Sequence, residues 1–258
     1  LESVRADFVA NVSHELRTPL TAIKGYAETL LNGALNDPVT ARRFLAIIDR
    51  HSERLSRLIE DLLTLSNLEL GKAELRRDEI LLAELVGEVF EMTKDKAESG
   101  RVTLLSQLPA HLPSLVADGD RFHQVLINLI DNAIKYTPPG GTVTVKAEIT
   151  QKPQLGNESR EMLRQDEPWV EIAVSDTGCG IPESEIPRLT QRFYRVDRAR
   201  SRELGGTGLG LAIVKHIVQA HGGFLRIESQ VNHGTTVRIF VPVGSPAVCA
   251  GIVEDVAS

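Results

Sequence analysis

Apolar residues recur through the first thirty positions at a helical interval. Phe8, Val12, Leu16, Leu20, Ile23, Ala27 and Leu30 follow at steps of 4, 4, 4, 3, 4 and 3, which mark one helix face. Asn32-Gly33 supplies a stop signal, and Asp37-Pro38 opens the next helix. From there Ala41, Ile48, Leu55 and Leu62 recur every seven residues, while Phe44, His51, Leu58 and Leu65 fill the second position of each heptad. The pattern predicts two long amphipathic helices joined by a short turn. One such hairpin cannot bury both stripes well, so a four-helix bundle made by two copies is the expected solution, a homodimer.

The period then changes. Residues 69–78 (ELGKAELRRD) are charged and lack an apolar stripe, as a linker does. Beyond them Val143, Val145, Ala147 and Ile149 alternate, as do Val170, Ile172 and Val174, and Val237, Ile239 and Val241. Helical runs lie between, at about 82–98, 118–136 and 208–221. Strands in hairpin-like pairs mixed with helices predict an α+β two-layer sandwich. Residues 151–168 are polar and read as an exposed insertion between two strands. The expected organisation is a helical hairpin at 1–68, a linker at 69–78, an α+β domain at 79–243 and a tail at 244–258.

Composition narrows the function classes. The 258 residues are 42% hydrophobic and 25% charged, ordinary for a soluble globular protein, and a net charge of −6 implies no nucleic-acid partner. The two cysteines, Cys179 and Cys249, lie far apart without metal-ligand spacing, which argues against a disulfide scaffold or zinc site. No apolar run approaches the roughly 18 residues of a membrane span. The chain starts at Leu1, inside a helical pattern and without an initiator Met. It reads as a cytoplasmic piece of a protein whose membrane anchor, if any, lies upstream.

Against this frame, some polar residues stand out. His14 lies about 200° round the helix from both Val12 and Leu16, so it faces away from the core stripe. An out-facing histidine is usually a solvated surface residue, but this one has Glu15 beside it and Thr18 one turn on. A carboxylate accepting the proton of one ring nitrogen makes the other a better nucleophile. Pro19 lacks an N–H, leaves the Glu15 carbonyl without its intrahelical partner and tends to bend the helix. That bend either gives a bulky partner access to His14 or merely shapes the bundle. His51 falls on the apolar stripe and reads as a core histidine.

Farther on, Asn128, Asn132 and Lys135 share one helix face. Two amides and an ammonium suit a Mg²⁺ ion carried on phosphates, which binds through few protein oxygens. In VSDTGCGIP (174–182) an alternating strand ends at Asp176, and Gly178 and Gly180 let a ligand approach the backbone. GGTGLGLAIVK (205–215) leads into a helix as a phosphate cradle does. Between the two glycine runs, RFYRVDRARSRELGG is basic and turn-rich, a mobile lid in which Arg192 and Arg195 would meet phosphate, or simply a solvated loop.

In this order the motifs resemble those of the sensor histidine kinases of two-component systems. FVANVSHELRTPL resembles the H box, NLIDNAIKYT the N box, DTGCGIP and GGTGLGLAI the glycine boxes, RFYRVD the F box and HGTTVRIFVP the last strand pair. The likeness spans roughly residues 5–243 and is nearest to the phosphate-responsive kinases. It implies a dimeric phosphoacceptor hairpin followed by a GHKL, or Bergerat, ATPase fold. It further implies that His14 is phosphorylated by ATP, that Glu15 is the base and that Thr18 orients water for response-regulator dephosphorylation. Asn128 and Asn132 would hold Mg²⁺, with Lys135 on phosphate and Tyr136 bordering ribose and base. Asp176 would read adenine, Gly178 and Gly180 would give room, and Ile181 would cover the ring. Arg192 would meet phosphate and Arg195 the moving phosphoryl group. Gly206, Thr207, Gly208, Leu209 and Gly210 would wrap the phosphates, with Thr235 in the last strand pair also lining the site. The implied partners are a second copy and a response-regulator receiver domain. The family's aromatic and acid before the RFYR run are replaced here by Thr190 and Gln191, although Phe193 remains. Rival readings are a phosphatase dominated by Thr18, a non-catalytic ATP-binding scaffold, and a related hydrolase, which would carry an acid where Asn128 stands.

Overall fold

A computed structural model describes residues 2–70, 75–151, 168–197 and 206–243. Parts of the expected linker, the insertion and lid, and the tail therefore lie outside the described residues. The chain divides into two compact units: Leu1–Lys72 with Pro187–Ile213, and Ala73–Ile186 with Val214–Ser258.

In the first unit α1 (Glu2–Leu31) and α2 (Pro38–Glu69) form the hairpin, joined through a short 3₁₀ turn at Ala34–Asn36. Asp37 caps α2: its carboxylate accepts from the Val39 N–H at 3.1 Å and the Thr40 hydroxyl at 2.5 Å. These bonds, that to Thr40 foremost, hold its carboxyl below the usual range. The heptads of α2 face as expected, with Ala41, Leu58 and Leu65 buried and Phe44, Ile48, His51, Leu55 and Leu62 half-buried. Tyr26 of α1 meets Phe44 of α2 at 5.1 Å between ring centroids. The stripe of α1 holds less well. Leu20 is 58% exposed while neighbouring Pro19 is buried. Each four-residue step advances about 40° beyond a full turn, so three in succession carry Leu20 about 120° round from Phe8. The helix continues unbroken through Pro19.

In the second unit a five-stranded sheet has the order β2-β4-β5-β7-β6: β2 (Thr103–Gln107), β4 (Thr142–Thr150), β5 (Trp169–Asp176), β7 (Gly234–Pro242) and β6 (Phe224–Gln230). Only β2 runs parallel to its neighbour; the other pairs are antiparallel. The alternating residues share register, Val145 opposite Val174 and Val174 opposite Val237. A small sheet pairs β1 (Asp78–Ile80) with β3 (Leu115–Ala117). Helices α3 (Leu82–Gly100) and α4 (Gly119–Tyr136) pack together, and α4 also lies against β4 and β5. Its Phe122, Val125, Leu126, Leu129, Ile130, Ala133 and Ile134 are buried at helical spacing. Helix α5 (Gly210–Ala220) buries Ile213, Val214, Ile217 and Val218. No helix among the described residues is long and apolar enough to cross a membrane.

The segment 187–213, within the expected α+β domain of 79–243, groups with the hairpin in the division into compact units.

Candidate phosphoacceptor and nucleotide sites

Within the hairpin unit, α1 presents His14 on its exposed side. Glu15 is half-buried, and its Oε2 accepts from Arg54 of α2 at 3.1 Å and from Arg195 at 3.0 Å. Both arginine side chains are under a tenth exposed. Charge-assisted bonds in such surroundings fix the carboxylate more firmly than a surface pair would. Arg54 was not singled out in the sequence, because a polar residue beside a heptad stripe reads as solvent-facing. Thr18 lies one turn beyond His14 as expected, and its hydroxyl donates to the His14 carbonyl at 3.1 Å. His51 is half-buried as expected of a stripe residue. Burial foremost, then Arg54 and Arg50, hold its pKa below the ordinary value.

The segment 187–213 joins this unit through three carboxylates. Arg195 pairs with Glu15, Arg192 with Glu69, and the Thr207 hydroxyl donates to Asp61 at 2.8 Å. Phe193 adopts a left-handed backbone (φ 61°) that a bulky residue rarely takes, and its N–H donates to the Gly208 carbonyl at 2.8 Å. Gly208 has φ +74°, and a Cβ there would come within 2.9 Å of the Phe193 backbone, so this approach of the F box and second glycine box requires glycine. Leu209 is fully buried, and Gly206 and Gly210 flank it half-exposed.

Within the α/β unit, Asn128, Asn132 and Lys135 are all half-buried on α4, opposite its buried stripe. Asn128 Nδ2 is buried without a hydrogen-bond partner among the described residues. An amide can offer a donor or, turned over, its oxygen, so this position has bonding capacity left for a ligand. Together with Asn132 one turn on, it fits Mg²⁺ held on phosphates, which needs few protein oxygens. Lys135 pairs with Asp131 at 2.5 Å, and Asp131 also receives Lys96 of α3 at 2.8 Å. Burial alone would raise the Asp131 pKa, but the two ammonium groups prevail and hold it low.

Asp176 ends β5. Its Oδ1 accepts from the N–H of Gly178 at 2.8 Å and of Thr235 at 3.2 Å, and Thr235 faces it in the β5–β7 register. Burial pushes the Asp176 carboxyl up, against the lowering effect of these two bonds. Both donors use Oδ1, which leaves Oδ2 for a ligand. The first glycine box fits tightly. A Cβ on Gly178 would come 2.5 Å from the Tyr136 carbonyl, and one on Gly180 (φ +65°) would come 1.9 Å from the Gln230 carbonyl. Tyr136 is half-buried at the end of α4, and its carbonyl accepts from the Cys179 N–H at 3.3 Å. The Ile181 N–H donates to Ser229, whose hydroxyl also bonds that of Thr235. Asp176, Gly178, Gly180, Ile181, Tyr136 and Thr235 are thus brought together by one set of strand-end contacts. Ser229 was missed in the sequence, and only the pairing of β6 with β7 places it here.

The family described as "Histidine kinase-, DNA gyrase B-, and HSP90-like ATPase" matches residues 117–245, and the "His Kinase A (phospho-acceptor) domain" matches residues 4–71. The chain belongs to the histidine kinases that combine these two domains. The sensor histidine kinase WalK of Bacillus subtilis (strain 168) is 42% identical over 245 residues, covering 94% of this chain. The chain spans only 37% of that relative's length. A crystal structure of histidine kinase ThkA in complex with the response regulator protein TrrA superposes with a TM-score of 0.70 at 25% identity, over 94% of this chain and 63% of that one. Full-length ShkA in complex with AMPPNP superposes with a TM-score of 0.64 at 26% identity, over 93% of this chain and 47% of that one.

Proposed function

We propose that the chain phosphorylates itself on His14 from ATP and passes the phosphoryl group to an aspartate of a response-regulator receiver domain. The observation that carries this reading is the side-chain setting of the H box. His14 stands exposed while the adjacent Glu15 carboxylate is fixed by buried Arg54. A neutral ring nitrogen of His14 attacks the γ-phosphorus, the N–P bond forms, and the bond to the oxygen of ADP breaks. The proton of the opposite ring nitrogen passes toward Glu15. Such general-base help contributes roughly 10²–10⁴-fold, and positioning with charge stabilisation supplies most of the rest. When bound, Mg²⁺ neutralises charge on the phosphates, and Asn128 and Asn132 would hold it. Asp176 would accept from the exocyclic amine of adenine, with Ile181 and Tyr136 bordering the base and ribose. Lys135, Arg192, Thr207, Thr235 and the backbone of Gly206, Gly208, Leu209 and Gly210 would meet the rest of the nucleotide, and Arg195 the transferring phosphoryl group. Thr18 would orient the water that hydrolyses the aspartyl phosphate of the response regulator, a separate reaction that releases inorganic phosphate.

Support comes from the family, from ThkA solved with a response regulator and from ShkA solved with an ATP analogue. The hairpin also leaves Leu45, Ile59 and Leu63 exposed on one face of α2, which supports the homodimer. Incubation with γ-labelled ATP and Mg²⁺ tests the proposal. The label is expected to be acid-labile, alkali-stable and absent from His14→Gln. Acid-stable label, or label that persists in that variant, overturns it.

A further inference from the structure

Ser229, Thr235 and Asp176 stand in register across neighbouring strands, Ser229 opposite Thr235 in the β6–β7 pair and Thr235 opposite Asp176 in the β5–β7 pair. Residues directly opposite in a sheet share one face. Gly234 lets β7 begin this close to β5: its φ is +98°, and a Cβ there would lie 1.9 Å from the Asp176 carbonyl. The nucleotide reading gives Asp176 the adenine amine, has Thr235 meet the nucleotide and assigns Ser229 nothing.

The Ser229 hydroxyl lies 2.8 Å from the Ile181 nitrogen, 2.9 Å from the Gly234 carbonyl oxygen and 2.8 Å from the Thr235 hydroxyl. A hydroxyl has one proton to give and two lone pairs to receive with. The Ile181 N–H can only donate, and the Gly234 carbonyl can only accept. All of these contacts are made at once in a single arrangement. Ser229 gives its proton to Gly234 and receives those of Ile181 and Thr235. Ser229 is then saturated, and the Thr235 hydroxyl has spent its only proton, so Thr235 has only lone pairs left. The carboxylate beside it is in the same position: Asp176 Oδ1 receives the N–H groups of Gly178 and Thr235, and Oδ2 is an acceptor too.

We propose that Ser229 is a positioning residue for base selection: by taking the Thr235 proton, it makes the end of this row accept hydrogen bonds and give none. Such a row favours a purine with an exocyclic amine, as in adenine, over one with a carbonyl oxygen there, as in guanine or hypoxanthine. Without Ser229 the Thr235 hydroxyl turns and can donate to that oxygen, directly or through a water. The inference rests on the nucleotide reading above, and its test separates the two.

Binding of Mg²⁺–ADP and Mg²⁺–IDP is measured by calorimetry for the parent chain, Ser229→Ala, Thr235→Val and the double variant. IDP carries hypoxanthine, with the oxygen in place of the adenine amine. The parent is expected to prefer ADP by about 10-fold or more, and Ser229→Ala to reduce that preference about 3- to 10-fold, in keeping with one hydrogen bond made or refused. Looser strand packing would weaken both nucleotides alike and leave the ratio where it was. In the Thr235→Val background, Ser229→Ala should not move the ratio, because the hydroxyl through which Ser229 acts is gone. No preference in the parent, an unchanged ratio in Ser229→Ala, or an equal fall in the Thr235→Val background overturns the proposal. In each of these cases ADP binding by the parent leaves the nucleotide reading standing. A parent that binds neither nucleotide overturns that reading and the inference with it. Where Ser229→Ala does not fold, Ser229→Cys takes its place: the thiol fills nearly the same space but is a weak acceptor, and the same fall is expected. An unchanged ratio there is equally fatal.

Discussion

The two units bury their apolar residues by different means. In the α/β unit Phe122, Ile130, Ile172 and Ile239 are wholly buried. In the hairpin unit Leu20, Leu45 and Leu63 are each more than half exposed. Two helices offer only one shared seam, whereas a sheet covered by helices closes a core on itself. The difference teaches that a sheet covered by helices closes its apolar core, whereas a two-helix hairpin leaves apolar side chains open. The same contrast separates the chemistry. The α/β unit fixes its candidate nucleotide residues through backbone contacts at strand ends, while the hairpin unit fixes Glu15 through buried arginines.

The largest expected effect that would break this contrast is in the α/β core. Phe122 is fully buried and meets His221 edge-on at 5.0 Å. Phe122→Ala should cost about 3–5 kcal/mol of that unit's stability. The single tryptophan, Trp169, lies buried in β5 and reports the loss as a lower urea midpoint of its fluorescence. The molecular mass in native buffer should not change. A midpoint shift under 1 kcal/mol, taken as a rough floor for a cavity of this size, would mean the core does not close as described.

The next effect concerns the open face. Leu45 and Leu63 are eighteen residues apart, five whole turns, and therefore lie on one side of α2. Leu63→Glu should weaken self-association by about tenfold or more, since a charge cannot be buried unpaired. It should leave the Trp169 midpoint in place. Sedimentation equilibrium reads the first quantity, and an unchanged association constant would remove this face from the dimer interface.

The smallest effect sharpens the account of the α/β unit through pH. His221 accepts from the Asp118 N–H through Nε2 at 3.0 Å, and its other ring nitrogen lies 2.8 Å from the Ile217 carbonyl. Both bonds need the neutral ring that carries its proton on Nδ1. Burial foremost pushes the His221 pKa below its ordinary value, and the Ile217 bond, Asp118 and Arg77 only adjust this. Its stabilisation is therefore complete above the unfolded value near 6.5 and declines as pH falls toward the lowered folded value, by at most about 1.4 kcal/mol per pH unit. Asp131, with its pKa held low, loses its contribution only below about pH 4. Asp176, raised by burial, acts in the opposite sense to His221 on acidification. Comparison with His221→Gln isolates the histidine. The stability read from the Trp169 urea midpoint should fall more between pH 7.5 and 5.5 in the parent chain than in the variant, by at most about 1.4 kcal/mol. Equal slopes would show that His221 is not held neutral.

Periodicity made much of the fold legible. The heptads of α2 and the alternation of β4, β5 and β7 point where they were expected to, except that Ile149 near the end of β4 is exposed, because burial of one face is what those patterns encode. It failed where burial is weak or the element is short. β2 is an edge strand with four of its five residues exposed, and β1 and β3 have three residues each, too few to display a period. Among the chemical residues, Asp131 and Lys135 are four apart on one helix, so their pairing lay within reach of the sequence. Arg54 against Glu15, Lys96 against Asp131 and Ser229 against Thr235 did not, since each joins residues from different elements.

By itself, the sequence determined which residues are candidates for chemistry and on which local element each stands: His14 on the outer face of α1, Asn128 and Asn132 along α4, Asp176 at a strand end with glycines after it. Local spacing suffices for that, because helix and strand geometry repeat at fixed intervals. Only the tertiary structure decided what those residues touch. It put Glu15 between two buried arginines, one of them 180 residues away, and turned Thr207 to Asp61. Such contacts depend on how distant segments pack, and no interval along the chain encodes them.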